Sequence, residues 1–207
     1  GYYAAKGFSR QQETLNGIVH QTTICGTEDE TRQFFVETLR EEFGVDPYEE
    51  THVNVTVSGR LLRTFLDTVL NAGIYAHTKR VPQCVFDAPD ELVGAYLSGY
   101  FSGNGIVSEG SLHVGATTVS SELRYDLMAL LTRLDIDASV NHHDSVSSPW
   151  KFSDYYDIDT KSMSAPCYVL SLSSTASVRF AERIGFHLPY KQETLATSVD
   201  ESSPCGT

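Results

Sequence analysis

The chain of 207 residues lacks the marks of several large protein classes. It has no run of 18 apolar residues, which excludes a membrane-spanning helix. No basic and then apolar segment precedes a cleavage site, so nothing marks secretion and a cytoplasmic location is expected. Its four cysteines (Cys25, Cys84, Cys167, Cys205) are widely spaced with no CxxC, suggesting neither a zinc ribbon nor a disulfide framework. A nucleophilic triad is not evident, and Gly99–Gly105 has neither the Gly-Lys-Ser/Thr ending nor the context of a phosphate loop. Lysine is scarce: five (Lys6, Lys79, Lys151, Lys161, Lys191) stand against ten arginines. Basic residues are outnumbered, 15 to 27, and the formal charge is −12. Taken alone, that charge argues against a nucleic-acid partner, because phosphates are repelled by an acidic surface.

The acidity is uneven. Residues 28–50 hold nine carboxylates against Arg32 and Arg40, the pattern of a solvated helix face. An acid-rich, lysine-poor composition also suits concentrated salt, where the Debye length shrinks to about 3 Å near 1 M and self-repulsion costs little.

What is present is a repeat. Gly1-Tyr2-Tyr3-Ala4-Ala5-Lys6-Gly7 reappears as Gly99-Tyr100-Phe101-Ser102-Gly103-Asn104-Gly105. A strand-like stretch, Gly17–Cys25, follows the first copy. Next comes a helix over Glu28–Phe43, with Phe35, Val36, Leu39 and Phe43 on one face. Val53–Val57 alternates as a strand. A further helix carries Leu61, Leu62, Phe65, Leu66 and Val69, with Ser58 as a candidate N-cap and Gly73 beyond its end. The second half repeats the order: a strand within Gly110–Ser120, a helix with Leu123, Leu127, Leu130, Leu131 and Leu134, an alternating strand Tyr168–Leu172, and a helix from Thr175 stopped at Gly185. With weaker strands near Tyr48–Glu50 and Ala138–His142, each half reads α-β-β-α-β-β-α, an α+β class with an internal pseudo-twofold.

Residues 1–88 are expected to be the first half with its linker, 89–195 the second, and 196–207 a frayed tail. Thr78–Pro82 reads as extended linker, and Asp87 as the N-cap of a helix carrying Pro89 and two acids in its first turn. That helix bears small residues four apart: Gly94, Ser98, Ser102, and beside them Ala95, Gly99, Gly103. A helical glycine costs on the order of 1 kcal/mol against alanine. Close approach of a second helix offsets that cost, and Gly1 and Ala5 of the first copy make its own repeat the expected partner.

Two such heptads in this duplicated order resemble the LAGLIDADG (dodecapeptide, or DOD-type) homing endonucleases, and in particular those embedded in archaeal inteins. Lys79-Arg80-Val81-Pro82, Phe86–Glu91 and Tyr190-Lys191-Gln192-Glu193 fit the intein-borne branch. The resemblance spans residues 1–195. It implies two central packed helices, two antiparallel sheets forming a DNA-binding saddle, and double-strand cleavage with Mg²⁺ held by the last acid of each heptad. The acidic composition points to a haloarchaeal source.

Both acid positions depart from the family: Lys6 stands in the first heptad and Asn104 in the second, and residues 1–12 hold no Asp or Glu to substitute. A lysine repels a metal by several kcal/mol at ~4 Å even with screening, and a neutral amide is a poor anchor. No cofactor is therefore expected to bind well, and cleavage is expected to be lost. Asn104-Gly105 is also a deamidation-prone pair that could regenerate an aspartate. Lys6 could instead pair with a phosphate. The resemblance places Lys79 and Lys191 near the active centre. It also makes Arg10 and the strand positions His20, Thr22, Asn54, Thr56, His113 and Ser171 candidate DNA contacts, although half-exposed sheet faces look alike without a ligand.

His142-His143-Asp144 lacks a second ligand pair at zinc spacing. Trp150, Lys151, Tyr155 and Tyr156, in the inserted loop 141–164, fit either a DNA contact or a packed loop. The expected partners are duplex DNA, bound weakly and in a salt-dependent way, and a flanking intein splicing domain. The chain itself is expected to be a monomer. It begins within its first signature helix and lacks a splicing nucleophile and a terminal His-Asn, so an excised piece that does not splice alone is expected. Two rival readings are a purely binding or structural insert and a nuclease using other ligands.

Overall fold

Glycine turns two helices directly into strands. In the computed structural model, α1 (Tyr2–Lys6) ends at Gly7 (φ −93°, ψ 153°) and α5 (Asp90–Asn104) at Gly105 (φ −83°, ψ 155°). The matching angles are the heptad repeat expressed in the backbone. A Cβ at Gly7 would strike the Tyr3 ring and one at Gly105 the Phe101 carbonyl, so both positions require a residue without a side chain. The structure describes residues 1–15, 17–26, 28–108, 112–143 and 166–202. Gly110, Trp150, Lys151, Tyr155, Tyr156, Asp144 and Cys205 lie outside them, as do residues 144–164 of the inserted loop.

After α1 come β1 (Gly7–Thr14), β2 (Gly17–Cys25), α2 (Asp29–Phe43), β3 (Tyr48–Thr51), β4 (Asn54–Ser58) and α3 (Arg60–Thr64), which continues as a π-helical turn, Phe65–Val69. A 3₁₀ turn (Ala76–Thr78) and α4 (Gln83–Phe86) lead to α5. The second half adds β5 (Gly105–Val107), β6 (Val114–Thr118), α6 (Ser121–Arg133), β7 (Ala138–His143), β8 (Cys167–Leu172), α7 (Ser174–Arg183) and α8 (Pro189–Ser202). The two antiparallel sheets have the same order, β1-β2-β4-β3 and β5-β6-β8-β7. Helices cover one face of each.

Several expectations are corrected. Gly59, not Ser58, occupies the N-cap of α3, and Pro89, not Asp87, that of α5. Residues 196–202 are not frayed: α8 continues to Ser202, anchored by buried Leu195 and Ser198. Ala95 is exposed rather than part of the helix–helix seam.

The seam itself is formed by Gly1, whose Cβ would fall on the Tyr96 carbonyl, and by Gly99 and Gly103. A Cβ on Gly99 would lie 3.1 Å from Tyr2 N, and one on Gly103 2.5 Å from Ala5 Cβ. Gly94 instead faces the end of α7, 3.2 Å from Arg183 O by the same measure, and Ser102 Oγ accepts the His187 N–H at 2.7 Å. On its other side α5 buries Val93, Leu97, Tyr100 and Phe101 completely. Each such burial stabilises by about 1.5–3 kcal/mol.

The halves are packed differently. The main core gathers around α5, α6, α7, β6 and β8, while the first half has a small cluster of Leu39, Val55, Val57 and Leu62. Acids on α2 point to solvent, as a solvated face requires, with Thr31, Phe35 and Leu39 buried.

Gly103→Ala tests the seam. Helix propensity favours alanine by about 1 kcal/mol, but its methyl would overlap Ala5, and such overpacking costs about 1–3 kcal/mol. Urea unfolding is expected to show net destabilisation, while Ala95→Ser on the exposed side stays within about 0.5 kcal/mol of the parent.

Candidate nucleic-acid interface

Lys6 and Asn104 occupy equivalent positions, each the last helical residue before its glycine. Lys6 turns across the seam: a Cβ on Gly103 would sit 3.2 Å from Lys6 Cγ. Burial lowers the Lys6 pKa, against an opposing pull from Cys25 and Glu28. Asn104 turns toward β6, where Nδ2 donates to Thr117 O at 3.4 Å beside the Tyr100 hydroxyl, which donates to the same carbonyl at 2.7 Å.

Lys191 joins this cluster from α8. Its Nζ donates to Ser102 O at 2.7 Å and Gly105 O at 2.8 Å, carbonyls at the foot of α5 where a cation also meets the negative end of the helix dipole. Burial, reinforced by the charge of Lys6, lowers its pKa to about 8. Glu28 lies close by, its Oε1 accepting from the Tyr190 hydroxyl at 3.2 Å. Glu28 and Tyr190 were not legible as site residues, since only the fold brings the α2 entrance beside α8.

Lys79 is placed elsewhere. It is 1% exposed, its Nζ donates to Gly73 O at 3.0 Å, and it lies over the Tyr3 ring, 3.3 Å from the centroid. The Tyr3 hydroxyl also reaches Ser9 Oγ (3.0 Å), which meets Thr22 Oγ1 (3.1 Å). Lys79 therefore belongs to a polar network beneath α1. Desolvation lowers its pKa to about 7.

Strand register sorts the predicted DNA contacts. Ser9, Thr22 and Val57 are cross-strand neighbours, and Val57 is core, so Thr22 faces the helices at 4% exposure. His20 shares that parity and pairs with Gln11 near the hairpin tip, Gln11 Nε2 lying 3.3 Å from His20 Nδ1. Arg10, Asn54, Thr56, His113 and Ser171 lie on the faces turned from the helices. There Arg10 Nε donates to Gln21 Oε1 and Gln21 Nε2 to the Tyr48 hydroxyl, both at 2.7 Å. Thr56 is fully buried against Thr23 (2.8 Å). Gln21 and Tyr48 were missed because β2 does not alternate cleanly in sequence.

Among the described residues, cations are sparse on these faces. Arg32, Arg40, Arg63, Arg80, Arg133 and Arg183 form ion pairs with Asp29, Asp46, Asp67, Glu122, Asp90 and Asp135. Arg124 lies over the Tyr168 ring, and Arg179 donates to Asp135 O. At the helix feet the donor set does not suit Mg²⁺: an ammonium offers no lone pair and Asn104 only a neutral carbonyl. Among the described residues no three His, Cys, Asp or Glu side chains are grouped to hold a metal, and no helix is long and apolar enough to cross a membrane.

Two sheets, two paired helices and a repeated helix–glycine–strand foot can be compared with known proteins. The family model described as "LAGLIDADG-like domain" matches residues 91–185. The second half of the chain is thus similar to a LAGLIDADG-like domain. The chain shares the fold of the homing endonuclease I-DmoI, solved in complex with DNA and Ca, at TM-score 0.63 and 12% identity over 95% of this chain and 92% of that one. The LAGLIDADG meganuclease I-AabMI, bound to uncleaved DNA, superposes at TM-score 0.55 and 12% identity, covering 97% and 88%. In sequence, the chain is 30% identical over 194 residues to the DNA polymerase II large subunit of Haloquadratum walsbyi, covering 86% of this chain and 8% of that protein. It is 31% identical over 207 residues to its counterpart in Thermococcus kodakarensis, covering 98% and 11%. The chain thus spans about a tenth of the length of these relatives.

Lys79 predicts a pH dependence. Its folded pKa of about 7 is below the ordinary lysine value of 10.5, so the unfolded chain binds more protons between them. Its contribution to stability is fully present above about 10.5 and lost as pH falls through about 7. Relative to Lys79→Met, the parent should gain stability as pH rises across that window, measured by urea unfolding at fixed salt.

Proposed function

We propose that the chain is the homing-endonuclease insert of an archaeal intein in a DNA polymerase II large subunit, retaining duplex-DNA binding but not cleavage. The carrying observation is the pair of residues at the helix feet: Lys6 and Asn104 stand where a metal-dependent nuclease of this fold requires acids. The polymerase relatives support the host, since the chain matches a small part of a much longer polypeptide. A monomer with internal pseudosymmetry, working beside a flanking splicing domain, fits the two similar sheets. The DOD-type assignment rests on the heptads, and a haloarchaeal setting on the acid-rich, lysine-poor composition. DNA-bound endonucleases among the structural neighbours support duplex DNA as the ligand.

A second reading, a structural insert without DNA affinity, is favoured by the engagement of most arginines on the helix side. Phosphate contacts supply most nonspecific affinity, and among the described residues the strand faces offer mainly Arg10.

A duplex carrying the uninterrupted polymerase insertion site, in high salt with Mg²⁺, tests both. The unmodified chain is expected to leave it intact while shifting it in a gel; cutting would overturn the inactive reading, and no shift would favour the structural insert. Lys6→Asp combined with Asn104→Asp should bring back metal-dependent cleavage, scored as linearised plasmid.

A further inference from the structure

Two lysine side chains converge on the last turn of α5. The Lys6 stem crosses the seam onto Gly103, and Lys191 is fixed by the carbonyls of Ser102 and Gly105. The Lys191 interaction uses two of its three N–H donors. Lys6 Nζ makes no hydrogen bond among the described residues, so donors remain on both groups. The nearby carboxylate, Glu28, is engaged by the Tyr190 hydroxyl. Two cations and one anion leave a positive charge in excess where partial burial weakens screening by water. Burial lowers the Lys191 pKa, and the charge of Lys6 lowers it further. A small anion between the two nitrogens would remove that repulsion and gain charge-assisted hydrogen bonds.

We propose that Lys6 and Lys191 form a metal-free site for one phosphodiester group at the foot of the paired helices. This rests on the duplex-binding reading above, and it gives the two lysines a role that neither acid replacement nor helix capping explains. The ammonium pair neutralises the phosphate without activating water, so the site binds and does not hydrolyse. Lys191 is positioned by α5 itself, whereas Lys6 is the adjustable partner, which makes Lys6 the position to vary.

The test uses a short duplex in EDTA, with affinity followed by fluorescence anisotropy over a salt series. Binding should persist without divalent cations. Lys6→Gln should reduce the steepness of log K against log salt by about 0.9, the loss of one phosphate contact, and Lys6→Arg should keep it. An unchanged slope in Lys6→Gln, or binding that appears only with Mg²⁺, overturns the site while leaving DNA binding intact. If the unmodified chain binds no duplex, the duplex-binding reading fails instead. Inorganic phosphate titrated in EDTA, with the lysine side-chain nitrogens followed by NMR, then decides the site alone. Saturable shifts at Lys6 and Lys191 uphold it, and their absence overturns it. That last measurement needs no variant, so it holds even if a substitution at Lys6 disturbs folding.

Discussion

The approach of α1 to α5 is the constraint from which the rest follows. Backbones this close are possible because Gly1 presents no side chain to the Tyr96 carbonyl, and Gly99 and Gly103 none to Tyr2 and Ala5. Because each helix continues through a glycine into the first strand of its sheet, fixing the two axes also fixes the two sheets relative to each other. The spacing of the helix feet and of the strand faces is thus one quantity, set by a few missing methyl groups.

The same seam joins halves held together by different physics. In the second half Phe101 packs on Phe180, which meets Phe186, within a continuous apolar core. In the first, the equivalent ring is Tyr3, and its surroundings are Lys79, Gly73, Ser9 and Thr22. Such a network stabilises only if every member is satisfied, and its apolar companion cluster is small. The linker is tied down in the same manner. Ser120 Oγ accepts the Leu123 N–H as cap of α6 and donates to Lys79 O at 2.6 Å, while Val81 N–H donates to Asp126.

Much of this was legible in the sequence wherever period and burial agree. α2, α6, β4 and β8 bury one face of an amphipathic pattern, and the heptad repeat foretold two helices in contact through small residues. β1 was not legible: Phe8-Ser9-Arg10-Gln11-Gln12-Glu13-Thr14 has little apolar content, and pairing with β2 along its whole length makes it a strand. The end of α8 escaped notice because Thr, Ser and Asp are weak helix formers, and Leu195 packing overrides them. For the site, the positions of Lys6 and Asn104 could be read from the heptads. The burial of Lys79 could not, because it depends on a tyrosine at the other end of its half. The choice between Thr22 and Gln21 needed strand register, which a stretch without clean alternation does not encode.

The duplication carries a consequence for how such a protein can change. A symmetric dimer of half-chains has one codon for both helix feet, so any substitution alters both strands' contacts at once. Fusion into a single polypeptide removes that coupling. Lys6 and Asn104, a cation and a neutral amide at matching places, are a difference that an obligate dimer of identical half-chains could not carry. The chain carries its two histories side by side, and each foot can be rewritten without consulting the other.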